Sequence, residues 1–183
     1  FFDGVQRGHR FLINQVKEVA DKDGLYSALV TFPMHPRQVI QTTYHPQLLS
    51  SPKEKLELLE TTQVDYCLLL PFTQELSLLS AREFMQLLRN KFNIHTLVIG
   101  YDHRFGHNRS ESFEDYCRYG EELNIYMVRA RAYTDGEDKI SSSVIRQQLK
   151  EGKVSQAAQF LGYNYYLDGT VVDGYKVGRK IGF

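Results

Sequence analysis

The sequence predicts an α/β fold built on a doubly wound parallel sheet, followed by the start of a β-rich unit. Three observations point there. Short, near-continuous apolar runs alternate with amphipathic stretches of helical period. The connections between them are mostly short, as in strand–helix–strand units. Beyond residue 162 the pattern changes to strand-like alternation and glycine-rich turns.

Residues 1–2, Phe-Phe, read as the tail of a first strand. Residues 11–20 place Phe11, Leu12, Val16, Val19 and Ala20 at helical spacing, and Gly24 supplies a stop. Residues 25–32 form a second strand, ended by Pro33. Ser51 and Pro52 provide an N-cap and a first-turn proline for a helix over 53–63. Residues 64–70 are a strand ending at Pro71. Ser80 with Glu83 makes a capping box for a helix over 81–92. Residues 96–100 are the clearest buried strand; Ser110 or Ser112 opens the next helix, to about residue 124, and 125–130 follow as a strand. Ser141-Ser142-Ser143 opens a helix to residue 150, and residues 154–161 form another, stopped by Gly162. Residues 165–172 alternate as a strand, and 173–183 carry Gly174, Gly178 and Gly182 among basic residues. The expected organisation is one domain over 1–162 and the beginning of a β-rich domain over 163–183.

Composition narrows the function classes. The 183 residues hold 22 Lys+Arg against 22 Asp+Glu, so the formal net charge is zero, which argues against a nucleic-acid clamp but leaves room for local anion sites. Hydrophobic residues make up 42%, enough for a core. No apolar run reaches the ~18–20 residues of a membrane helix. The first residue is Phe rather than Met and the chain stops without a polar tail, from which both ends are expected to be cut. Cys67 and Cys117 have neither disulfide-framework nor metal spacing; they read as free thiols of a reducing, cytoplasmic compartment.

In a doubly wound sheet the ligand sits at the carboxyl ends of the strands, and the unusual residues cluster there. Phe2-Asp3-Gly4-Val5-Gln6-Arg7-Gly8-His9 leads directly into a helix. Gly4 and Gly8 permit close backbone approach, the helix N-terminus suits a phosphate, and His9 can donate to a phosphate oxygen and carry charge if protonated. An ordinary strand–helix loop with an exposed His fits the same residues. Ser141–Ser143 can cap a helix and no more, or, with Arg146 one turn on beside Ser142 and Ser143, converge on a polyphosphate. Phe32 and Phe105 can be ligand walls or core. His103 and His107 stand four apart, but in a loop with no evident third metal ligand. His45 and His95 read as surface residues.

Together these stretches resemble the nucleotidylyltransferase superfamily, a Rossmann-like fold. The first is similar to its Gly-x-Phe-Asp-Gly-x-His-x-Gly-His signature: Phe2, Asp3, Gly4, Gly8 and His9 match, and Gln6 stands where the first histidine belongs. Ile140-Ser141-Ser142-Ser143-Val144-Ile145-Arg146 resembles its I-S-S-T-x-I-R phosphate motif. Val98-Ile99-Gly100-Tyr101-Asp102-His103-Arg104-Phe105-Gly106 is similar to the V-V-G-x-D-F-R-F-G segment of bacterial FAD synthetases, and Thr31-Phe32-Pro33-Met34-His35-Pro36 to their T-F-x-P-x-P turn, its first proline one place early. Residues 169–183 look like the opening of a riboflavin kinase module.

The resemblance implies transfer of AMP from ATP to FMN, giving FAD and pyrophosphate with Mg²⁺, and riboflavin phosphorylation by the longer bifunctional protein. It implies an ATP site of Phe2, Asp3, Gly4, Gln6, Gly8, His9, Gly100, Asp102, Ser142, Ser143 and Arg146. Of these, His9, Ser142, Ser143 and Arg146 carry catalysis, and Asp3 fixes the loop. It implies an FMN site of Phe32, Pro33, His35, Pro36, Arg104 and Phe105, with Mg²⁺ held mainly by ATP phosphates. The partners implied are these small molecules, not nucleic acid or membrane. A sister transferase with another phosphate acceptor, or a nucleotide- or flavin-binding module without turnover, fits the phosphate motifs as well.

Overall fold

The computed structural model describes residues 1–41, 43–107, 109–134, 140–172, 174–175 and 177–182. Two parallel strand–helix–strand units carry the architecture. In the first, β1 (Ala28–Thr31) pairs β2 (Tyr66–Leu69) in register Ala28↔Tyr66 to Thr31↔Leu69. In the second, β3 (Thr96–Ile99) pairs β4 (Tyr126–Arg129), Thr96↔Tyr126 to Ile99↔Arg129. The strands are thus parallel and mixed with helices, as expected, and their hydrogen-bonded ladders form two pairs among the described residues. Phe1-Phe2, expected to end a first strand, instead enter a 3₁₀ turn at Asp3–Val5. The reason is local: the Asp3 N–H donates back to the Phe1 carbonyl at 2.8 Å, which removes a group that a strand would offer to its neighbour.

The helices follow their caps. α1 (Arg7–Asp23) begins four residues before its apolar period, because Gln6 caps it, accepting from the Gly8 N–H. After β1 comes a short α2 (Pro36–Ile40), capped by His35. α3 (Pro52–Glu60) has the Ser51/Glu54 box, and α4 (Gln74–Leu78) starts at Thr73. α5 (Ala81–Phe92) holds its predicted bounds on the Ser80/Glu83 box. Ser112, not Ser110, caps α6 (Phe113–Leu123). α7 (Ser142–Lys150) starts from Ser141, and α8 (Val154–Leu161) stops at Gly162. At five residues each, α2 and α4 are too short to show a period.

Residues 165–172 form no strand. The side chains do alternate, but a strand needs a partner ladder, and Leu167, Val171 and Val172 stand exposed. A short α9 (Val177–Ile181) follows. Asp173, Lys176 and Phe183 of the glycine-rich segment lie outside the described residues.

Three apolar clusters flank the site. Val5, Ile13, Leu29, Leu58 and Leu59 join the 3₁₀ turn and α1 to the first unit. Ala81, Met85, Ile99, Tyr116 and Ile125 fill the second unit. Leu49, Ile145, Ala157 and Leu161 tie the segment before α3 to α7 and α8.

Candidate active site

The turn at Asp3-Gly4 is where distant parts of the chain meet. Asp3 is buried, and its Oδ1 accepts from the Leu49 N–H at 2.8 Å. Its Oδ2 accepts from Arg146 Nη1 at 2.7 Å. Its carbonyl accepts from the Ser142 hydroxyl at 3.1 Å. The Gly4 N–H donates to Ser50 Oγ at 3.2 Å, and the Gly4 carbonyl accepts from the Tyr163 hydroxyl at 2.7 Å. Gly4 is at φ +71°, and a Cβ there would come within 2.9 Å of Leu49 Cδ1, so both backbone and space demand glycine. Arg146 also donates from Nη2 to Ser143 Oγ at 3.0 Å, across one turn of α7. Burial raises the Asp3 pKa above the ordinary carboxylate value, outweighing the opposing pull of the Leu49 N–H and Arg146.

These groups open onto a cavity of about 360 Å³. Its lining includes Asp3, His35, Ser142 and Arg146, with Phe1 and residues 44–48. The His35 ring contacts Phe1 at 5.1 Å and Tyr44 at 5.6 Å, while Arg37 lies 4.4 Å over the Tyr44 ring. Burial lowers the His35 pKa from its ordinary value. Residues 44–48 had no sequence signal: they carry no period and match no motif. His45 is exposed, as expected, yet it also lines the cavity.

The start of α1 is arranged differently from the expectation. Gln6 is buried, and its Oε1 holds the Gly8 N–H, one of the donors that a helix start offers to an anion. The His9 ring meets Phe2 edge-on at 5.2 Å, and its Nδ1 is sealed from solvent without a hydrogen-bond partner among the described residues. Burial pushes the His9 pKa down to about 3. Without a ligand His9 is therefore neutral at neutral pH, and a neutral imidazole can still donate one hydrogen bond.

The flavin-side candidates lie on the loops that follow β1 and β3, and the cavity lining reaches only His35 among them. Phe32 packs edge-on against Phe72 at 5.1 Å, Pro33 is exposed, and Pro36 opens α2. Phe105 is stacked on Tyr116 at 4.5 Å and 9° and also meets Phe84, so it belongs to the second unit's core. Arg104 is exposed and donates to the Arg109 carbonyl at 3.4 Å. Asp102 is exposed, and the Gly100 carbonyl accepts from the His103 N–H at 3.0 Å. His107 Nδ1 lies 3.0 Å from the Ser77 carbonyl oxygen. Among the described residues no cluster of three His, Cys, Asp or Glu could hold a metal ion. Each oxygen of Asp3, the carboxylate on the cavity, already accepts one hydrogen bond. Cys67 and Cys117 are free and half-buried, and no helix among the described residues is long and apolar enough to cross a membrane.

The sequence model of the family described as FAD synthetase matches residues 1–144. A bifunctional riboflavin kinase/FMN adenylyltransferase of Listeria monocytogenes is 35% identical over 100% of this chain and 58% of its own length. The proteins of that description from Escherichia coli (strain K12) and Bacillus subtilis (strain 168) are 33% and 31% identical, again over 100% of this chain and 58% of their own. The chain thus spans just under three fifths of these curated relatives. A crystal structure described as a macrolide-efflux protein from Streptococcus pneumoniae superposes with a TM-score of 0.87 at 31% identity, covering 100% of this chain and 59% of that one.

Proposed function

The chain belongs to the FAD synthetase family, and we propose that it transfers AMP from ATP to FMN. An oxygen of the FMN phosphate attacks the α-phosphorus of ATP in line. The new O–P bond forms as the bond from the α-phosphorus to the bridging oxygen breaks, and pyrophosphate leaves with the electron pair. The nucleophile is already an anion, so no general base is needed, and catalysis reduces to positioning and charge stabilisation.

The observation that carries this reading is the meeting of Ser142 and Arg146 with Asp3 on one open cavity, from opposite ends of the chain. Arg146, oriented by Asp3 and Ser143, takes the departing phosphates with Ser142 and Ser143. Gly4 and Gly8 let the nucleotide approach the backbone, and Gln6 and the neutral N–H of His9 face its phosphate side. Phe2, Gly100 and Asp102 complete the nucleotide site. Phe32, Pro33, His35 and Pro36 form the flavin wall, Arg104 takes the FMN phosphate, and Phe105 backs the loop that carries it. Mg²⁺ would accompany ATP, held largely by its phosphate oxygens and water, and would supply charge neutralisation there. Residues 163–183 are read as the opening of the riboflavin kinase module, and phosphorylation of riboflavin is proposed for a protein that contains that module whole. The compartment is the cytoplasm.

The test is direct. With ATP, Mg²⁺ and FMN, chromatography should show FAD and an equal amount of pyrophosphate. Absence of FMN binding would remove the flavin assignment, and turnover with another phosphorylated acceptor would make the protein a sister transferase. A second reading, binding without turnover, is favoured by one observation: Gln6 stands in the first histidine's place and already occupies the Gly8 N–H. ATP and FMN bound without FAD formed would select it.

A further inference from the structure

We infer that Lys55 is a positioning residue for the flavin substrate, gripping both ends of the 32–35 turn from beneath; this rests on the reading of that turn as a flavin wall. Lys55 sits on α3 and is only 2% exposed. Its ammonium donates at 2.7 Å to the carbonyl of Phe32, the first residue past β1. The same Nζ lies 4.1 Å from the centre of the Phe1 ring, and that ring carries His35 edge-on at 5.1 Å. One buried charge therefore holds Phe32 directly and His35 through Phe1.

Other holds act on the turn's ends: the His35 ring also meets Tyr44 at 5.6 Å, and its Nδ1 accepts from the Arg37 N–H at 3.2 Å. Pro33 has no N–H to donate. The His35 N–H goes to Gln38 inside the turn's own cap, and Phe32 makes a ring contact with Phe72. A buried ammonium is costly unless its charge is compensated. Asp3, Cys67 and the Phe1 α-amino group are the ionisable groups that face this one, and no carboxylate forms an ion pair with it among the described residues. Burial draws its pKa downward. An apolar side chain of similar length would fill the same space without that cost, so packing alone does not account for a lysine here.

The experiment compares wild type, Lys55→Met and Lys55→Arg in FMN and ATP titrations and in steady-state FAD formation. Lys55→Met should raise KM for FMN about tenfold, with kcat and ATP affinity within about twofold. Lys55→Arg keeps the charge but seats its planar head differently, and should raise KM for FMN about threefold. FMN affinity unchanged in both variants would overturn the inference, as would FMN and ATP affinities falling by one common factor. If Lys55→Met does not fold, as judged by circular dichroism, Lys55→Arg decides: a rise confined to FMN supports the inference and wild-type behaviour overturns it. Failure of wild type itself to bind FMN would remove the flavin reading instead.

Discussion

The Asp3–Gly4 turn, which follows no strand among the described residues, and the 100–106 loop, which follows β3, are built in opposite ways. The turn is closed by bonds from Leu49, Ser50, Ser142, Arg146 and Tyr163. The loop leaves residues 101–104 exposed, and its Arg104 rests on a neighbouring carbonyl at 3.4 Å. The turn is ordered by the protein's own bonds, whereas on the proposed reading the loop's Arg104 has still to be organised by a ligand. If the nucleotide binds at the turn as proposed, the energy already committed to ordering it need not be spent again.

Substitutions can sharpen that contrast. Arg146→Ala should have the largest effect. It removes a charge proposed to act on the departing phosphates and leaves Asp3 buried without its partner. FAD formation should fall about a hundredfold or more, while far-UV circular dichroism stays native; turnover within twofold would break the assignment. The next effect is acid sensitivity at the start of α1. Folded His9 titrates at about 3, whereas an unfolded His titrates at ~6.5. Between those values the unfolded chain binds the extra proton, so His9 makes stability fall as pH drops through this window. Urea midpoints from pH 7 to pH 4 should show it, and His9→Phe should flatten the slope. Tyr163→Phe removes the hydroxyl from the Gly4 carbonyl and should cost ~1 kcal/mol in urea unfolding; no change would mean that the turn is held without it. Arg104→Ala should be smallest, weakening FMN by about threefold as an exposed charge does. An effect as large as that of Arg146→Ala would show the loop to be as fully organised as the turn.

The sequence made some of this legible and not the rest. Helices with a side-chain cap and an apolar stripe were readable almost to the residue, as with the Ser80/Glu83 box and the helix that ends at Gly162. The start of α1 was not, because its first turn is Arg7-Gly8-His9-Arg10, polar residues that add nothing to an apolar period. The pairing of strands into two ladders depends on which backbones lie side by side, which a chain's own periodicity does not encode. Within the site, Asp3, His35, Ser142 and Arg146 were all singled out by motif and do share a cavity. Tyr44 and its neighbours were missed, since a ring becomes a wall only when another segment folds against it. The stacking of Phe105 on Tyr116 and the neutrality of His9 are likewise products of packing and burial.

The Asp3–Arg146 pair has a consequence for how an anion finds this cavity. At 2.7 Å the two opposite charges act at a distance as a dipole, whose potential falls off faster than that of a lone charge. The guanidinium is then felt by a polyphosphate only near contact, and at that pair there is little long-range steering for dissolved ions to screen. In the proposed site the pair would thus make Arg146 a discriminator among anions that have already arrived, adding little to the rate of their encounter.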